Sequence, residues 1–207
     1  MFNIDEIISY FVILWAVIDP IGTVPVFLAV TKNYEESEKK KIARFSSLIA
    51  FFILLFFMIV GEILLRRVGV PLAAFQTSGG IILFLFALNM IFGDSKPEEE
   101  IQLVKKTGQE TAIFPLAIPS IAGPGAILAV VLLADSTRSS LKGQTLIASV
   151  MCLILFINYV LMRLSGRVHK KIGDSGAIVI SKVMGLILAS IAANNILLGI
   201  KDFFKIL

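Results

Sequence analysis

The chain has 207 residues, 57% of them hydrophobic and 16% charged, with mean hydropathy +0.91, which excludes an ordinary soluble domain. Its net charge of +4 sits mostly in short connecting stretches, as topology signals do, and does not indicate nucleic acid. One cysteine, Cys152, inside an apolar run, excludes an internal disulfide framework and a thiol-pair redox centre.

The N-terminus, Met1-Phe2-Asn3-Ile4-Asp5-Glu6, is acidic and lacks the basic start of a cleaved signal peptide, so the first apolar run is expected to be retained. Apolar runs then follow at 7–31, 43–65, 71–92, 111–134, 145–164 and 177–200. Each is close to the roughly 20 residues that cross a bilayer. The fold expected is all-α and polytopic, with six transmembrane helices. Polar connections fall at 32–42, 66–70, 93–110, 135–144 and 165–176. Lys96-Pro97-Glu98-Glu99-Glu100 marks a linker between two halves, giving residues 1–93, a linker at 94–110, and residues 111–207.

The first and fourth runs are interrupted near their middles. The first contains Asp19-Pro20-Ile21-Gly22-Thr23-Val24-Pro25, and the fourth contains Pro119-Ser120-Ile121-Ala122-Gly123-Pro124-Gly125. Proline lacks the helical N–H and glycine gives up backbone restraint. Hydrocarbon tolerates loose backbone only where it lines a cavity or is buried in protein. Two such breaks at corresponding places in two halves mark a transporter binding site. Where a helix stops and restarts, free N–H groups attract anions and free C=O groups attract cations. Two breaks of opposite direction would suit a zwitterionic amino acid, and Gly22, Gly123 and Gly125 allow only a small ligand to approach. A packing kink is the bland alternative for any single proline.

Asp19 is the one acidic residue deep in an apolar run. It could take a coupling proton, contact a substrate ammonium, help bind Na⁺, or simply cap the restarted half-helix. Asn89 and Asn194 lie in the third and sixth runs, where they either bond neighbouring helices or reach ligand. Gln76, Thr77, Ser78, Asn158 and Ser181 could line a path, although helix-to-helix bonding is the simpler role. His169 lies in the basic stretch Arg167-Val168-His169-Lys170-Lys171 and has no partner at metal-ligand spacing, so no metal site and no cofactor are expected. The pairs Phe51-Phe52 and Phe56-Phe57 face lipid or core.

A shift of 105 positions superposes Gly80 on Gly185, Ala87 on Ala192, Asn89 on Asn194 and Ile91 on Ile196; a shift of 104 brings Pro20 onto Pro124. With three spans per half, the second half enters from the opposite face, an inverted repeat. Twelve Lys and Arg residues on loops one, three and five oppose six on the other side. The stretches near 32–42, 94–110 and 165–176 are therefore expected in the cytoplasm, with both termini outside.

At Ile18 to Pro25, at Phe114 to Gly125, and at Gly79-Gly80 and Asn194-Asn195, the chain resembles the MarC/SnatA family of bacterial and archaeal inner-membrane proteins. The resemblance covers essentially the whole chain. It implies six spans in two inverted three-helix repeats and transport of small neutral amino acids such as glycine and alanine, with proton coupling. The family's link to multiple antibiotic resistance is a weaker guide. Carried over by motif, the substrate segments are Asp19, Pro20, Ile21, Gly22 and Thr23, and Ser120, Ile121, Ala122, Gly123, Pro124 and Gly125. Thr23 departs from the Asn of many relatives, which puts a side-chain contact there in question.

The expected function is a proton-coupled secondary transporter of small neutral amino acids, with Asp19 as coupling group and no catalytic residues. Its partners are the amino acid, a proton or Na⁺, and the bilayer. A passive pore or an exporter of another solute is the alternative. An intramembrane enzyme fares badly, since the chain lacks a His-Glu-x-x-His motif and has one histidine. A scaffold would leave both broken helices unexplained.

Overall fold

The computed structural model describes residues 4–93, 107–134 and 141–205. All regular structure among them is helical. Helix α1 (Ile4–Ile18) starts with Asp5 and Glu6 in its first turn, where carboxylates oppose the positive end of the helix dipole. After a four-residue break the same span continues as α2 (Thr23–Val30). Helix α3 (Glu36–Val68) follows, then α4 (Leu72–Phe92). The fourth span opens with α5 (Gly108–Thr111), continues through wide π-type turns over Ala112–Ile121, and restarts as α6 (Pro124–Leu133). Helices α7 (Leu141–Arg163) and α8 (Ser165–Phe204) complete the chain.

Five helical stretches are long and apolar enough to cross a membrane: Ile4–Val30, Glu36–Gly61, Leu72–Phe92, Leu141–Arg163 and Ile178–Phe204. A sixth is the bent pair Gly108–Ile121 with Pro124–Leu133, whose halves meet at 58°. These match the six runs legible in the sequence. The linker expected at 94–110 lies outside the described residues as far as 106. Its last part is helix start: Thr107 and Glu110 form a capping box, with Thr107 N–H donating to Glu110 Oε2 at 2.9 Å.

Three polar stretches expected as connections, 32–42, 66–70 and 165–176, are largely helical, α3 running on to Val68. Helix α3 begins at Glu36 rather than near 43, and α8 begins at Ser165. Lys, Arg and Glu are good helix formers, so a helix leaving the apolar zone has no reason to stop there. At 33 residues α3 is about 50 Å long, well beyond the roughly 30 Å of hydrocarbon, so it projects past it. In α8 the interruption is at Gly173, whose φ of 69° is a conformation glycine adopts without a Cβ penalty.

Packing follows small residues. The most extensive helix contact is α4 against α8. The buried face of α4 carries Gln76, Gly79, Gly80, Leu83 and Ala87, a stripe at helical spacing. Helix α6 is central, packing against α1, α3 and α4, with Ala126, Leu128, Ala129, Val130 and Val131 all buried. The core also takes in Leu14, Val17 and Ile18 of α1 and the α7 stripe Ile147, Met151, Ile154 and Leu155. Large apolar side chains remain exposed along the opposite faces, including Phe45, Leu48, Phe52, Phe56, Ile59 and Ile63 of α3. That stripe is what a lipid-facing helix surface requires. Of the phenylalanine pairs, Phe52 and Phe56 face outward while Phe51 and Phe57 pack on the core.

Candidate functional site

The first break is built by Asp19 and Pro20. Pro20 has no N–H to give the Ala16 carbonyl, and the Gly22 amide donates to Asp19 Oδ1 at 3.0 Å rather than to Ile18. The last turn of α1 therefore loses helical donors for two carbonyls. Asp19 takes φ 44°, a left-handed conformation that Asp and Asn tolerate better than other L-residues. Its main-chain oxygen accepts from Thr23 N at 3.0 Å and from Thr23 Oγ1 at 3.1 Å, which restarts the helix as α2. Its other carboxylate oxygen, Oδ2, accepts from Ser181 Oγ of α8 at 3.3 Å. Asp19 thus ties the broken span to the last helix. Pro20 and Thr23 are buried; Asp19, Ile21 and Gly22 are half-buried.

The second break is longer. Phe114 (φ −130°, ψ 123°) and Ile118 (φ −131°, ψ 127°) are extended, and each precedes a proline, whose ring pushes its predecessor out of the helical region. The Ala122 amide reaches back five residues to the Ala117 carbonyl at 2.8 Å. Gly123 is extended at ψ 170° and Pro124 opens α6 as its first residue, where a missing N–H costs nothing. The amides of Gly125 and Ala126 then stand in a first turn without intrahelical acceptors. Ile121, Ala122, Gly123 and Gly125 are buried, Ser120 is half-buried and Pro124 is exposed. A methyl group on Gly123 would sit 2.6 Å from the Pro119 carbonyl oxygen, and one on Gly125 2.8 Å from Leu83 Cδ1.

The two broken spans lie against each other. Helix α1 packs on α6, while α2 packs on the Ala112–Ile121 segment. The first half of each span meets the second half of the other. The first break is bonded to α8 through Ser181, and the second leans on α4 through Leu83.

Beside them is a cavity of about 270 Å³ bounded by α1, α4, α6 and α8. Its polar wall is Tyr10, Gln76, Asn194 and Asn195, and Leu83, which touches the second break, forms part of the apolar wall. Gln76 Nε2 donates to Asn195 Oδ1 at 3.5 Å. Of the site residues read from the sequence, Asn194 lines this cavity; Asp19 to Thr23 and Ser120 to Gly125 do not. Asn89 lies elsewhere, exposed in the last turn of α4, with its carbonyl accepting Gly93 N–H at 2.8 Å. Tyr10 and Leu83 were not singled out from the sequence. Tyr10 shares a helical stripe with the buried Leu14 and Val17, a signal that was present.

Asn158 is fully buried, and neither amide atom has a hydrogen-bond partner. It belongs to the α7 face that packs against α1 and α3. Among the described residues no three His, Cys, Asp or Glu side chains converge as a metal site would need.

The family model of the MarC family integral membrane proteins matches residues 4–204. A UPF0056 membrane protein of Aquifex aeolicus is 34% identical over 202 residues, covering 96% of this chain and 94% of that protein. The UPF0056 membrane protein YvbG of Bacillus subtilis is 31% identical over 208 residues, covering 97% of both chains. A UPF0056 membrane protein of Buchnera aphidicola is 32% identical over 201 residues, covering 97% and 99%. No solved structure matches. With its apolar spans, its paired breaks and this match over nearly its full length, the chain belongs to the MarC family of integral, multi-pass membrane proteins.

Proposed function

We propose that the chain is a secondary transporter of small neutral amino acids, built as two inverted three-helix halves that rock about a midplane site. The observation that carries this reading is the packing of the two broken spans, half against half. Two spans running in opposite directions with their breaks at one level would pack so. Free amides at the start of α6 then oppose loosened carbonyls at the end of α1, the charge pattern of a carboxylate beside an ammonium. The cavity of about 270 Å³ does not include the break residues, but with three side-chain amides on its wall it suits a small polar solute on its way to them.

Asp19 is the coupling group in this scheme. As a carboxylate it occupies the Gly22 amide and the Ser181 hydroxyl. A proton on Asp19 weakens both contacts and releases the Gly22 N–H for the substrate carboxylate, which links proton binding to substrate binding. The basic side, with Lys39, Lys40, Arg163 and Arg167, faces the cytoplasm of the cell in which this inner-membrane protein sits.

The test is uptake of labelled glycine or alanine into liposomes holding the purified chain, with and without an imposed proton gradient. Saturable, gradient-driven accumulation is expected. Flux that neither saturates nor concentrates the solute would make the protein a pore, and no flux under any ion gradient would end the proposal.

A further inference from the structure

A second cavity, of about 780 Å³, opens at the end of the bundle where α7 gives way to α8. Four cationic residues from three helices line it: Lys40 of α3, Arg163 of α7, and Arg167 and Lys170 of α8. The one carboxylate on its walls, Glu36, is held by Lys39 at 2.9 Å. Arg163 is oriented by Tyr159, with its guanidinium 5.9 Å from the ring centre and Nη1 donating to the phenol oxygen at 3.3 Å. The first turn of α8 adds the positive end of a helix dipole, and Gly166 within it lines the same cavity.

The wall then changes character. Leu164 sits at the level of the cations, between α7 and α8, and Val160 and Phe156 descend α7 below it, Phe156 being 61% exposed. Phe156 is two turns, about 10 Å, below Arg163. A cationic head over an apolar stem about 10 Å deep matches an amphiphile with an anionic headgroup. A free anion would use only the head.

We propose that this groove binds one anionic phospholipid, its phosphate among Lys40, Arg163, Arg167 and Lys170 and an acyl chain along Leu164, Val160 and Phe156. Clusters of Lys and Arg beside spanning helices hold anionic headgroups by the same electrostatics. The proposal is independent of what the protein transports.

The experiment is thermal unfolding and native mass spectrometry of the purified full chain in detergent, with phosphatidylglycerol, phosphatidylcholine or inorganic phosphate added. Phosphatidylglycerol is expected to raise Tm by several degrees and to persist as a one-to-one adduct, with the other two doing neither. An equal effect of phosphatidylcholine, or of phosphate alone, would overturn the proposal. The variant is Gly166→Glu, because a side chain at Gly166 meets no atom within 4 Å and an acid suits the first turn of a helix. It should keep its Tm in phosphatidylcholine and lose at least tenfold in apparent affinity for phosphatidylglycerol. Undiminished affinity in this variant would place the lipid elsewhere and sink the assignment. Should the variant fold poorly, Arg167→Gln read against Arg167→Lys gives the same test, with Lys expected to retain most of the binding.

Discussion

Gly80 and Gly185 occupy exchanged places in the contact between α4 and α8. A methyl group on Gly80 would meet Ile196 Cγ1 at 2.8 Å and the Ala192 carbonyl oxygen at 3.1 Å; one on Gly185 would meet Ile91 Cγ1 at 3.0 Å and the Ala87 carbonyl oxygen at 3.2 Å. Gly80 and Gly185, Ala87 and Ala192, and Ile91 and Ile196 are each 105 positions apart. Each contact therefore becomes the other when the halves are swapped, the property of a contact made across a two-fold axis. This supports the inverted halves proposed above. It also explains the close approach, since small residues let membrane helices pack backbone to backbone.

Gly80→Leu and Gly185→Leu should destabilise by similar amounts, about 1–3 kcal/mol each, because both overpack the same kind of contact. Gly166→Ala, which meets no atom within 4 Å, should change little. Thermal unfolding of the three purified variants checks this. A severe effect at one of the two leucine sites with none at the other would show that the exchange relation has no energetic meaning.

Asp19→Asn should fold normally, since an amide oxygen still accepts the Gly22 N–H and Asn tolerates the left-handed backbone at this position. Asp19→Ala removes the acceptor and puts a side chain that tolerates the left-handed backbone poorly at φ 44°, and should cost about 2–3 kcal/mol. In transport assays Asn at this position should leave substrate exchange while abolishing proton-driven accumulation. Accumulation at the native level in Asp19→Asn would remove Asp19 from the coupling step.

Much of this was legible before any coordinates. Spanning runs and both breaks follow from hydropathy and from proline and glycine, because the bilayer enforces one rule on every span. The extended backbone at Phe114 and Ile118 was equally available from the prolines that follow them. Hydropathy does not report backbone conformation outside the apolar zone, so the helical start of α8 at Ser165 read as a loop. Nor does it say which face of a helix end meets protein. Asn89 and Asn194 correspond in the repeat and both are exposed, yet Asn194 lines a cavity while Asn89 sits in the last turn of α4, which stops at Phe92 whereas α8 runs on to Phe204.

The glycines of the two breaks should differ in their tolerance of alanine. At Gly22 the added methyl collides with the Asp19 carboxylate, a side chain that can swing aside at the loss of its hydrogen bonds to the Gly22 amide and the Ser181 hydroxyl. At Gly123 it meets the Pro119 carbonyl, which is backbone and cannot move without redrawing the break. Gly123→Ala should therefore cost more, toward the upper end of about 1–3 kcal/mol, and Gly22→Ala the lower end. Glycine binding followed by calorimetry should fall further in Gly123→Ala. The reverse order would mean that the first break, not the second, is the more rigid wall of the site.

Asn158 lies wholly inside the protein with both amide atoms unbonded, and an unsatisfied buried polar group costs about 1–3 kcal/mol. Asn158→Leu replaces it with a side chain of similar size that needs no partner, so the folded state described here should become more stable and Tm should rise. A transporter spends part of its cycle in a second arrangement, and a polar group stranded in one state is affordable if it is bonded in the other. The same variant should then slow transport while stabilising the protein, because it removes a bond from one end of the cycle only. Stabilisation with full transport would make Asn158 a packing residue and nothing more, whereas a fall in Tm would mean its amide is already engaged.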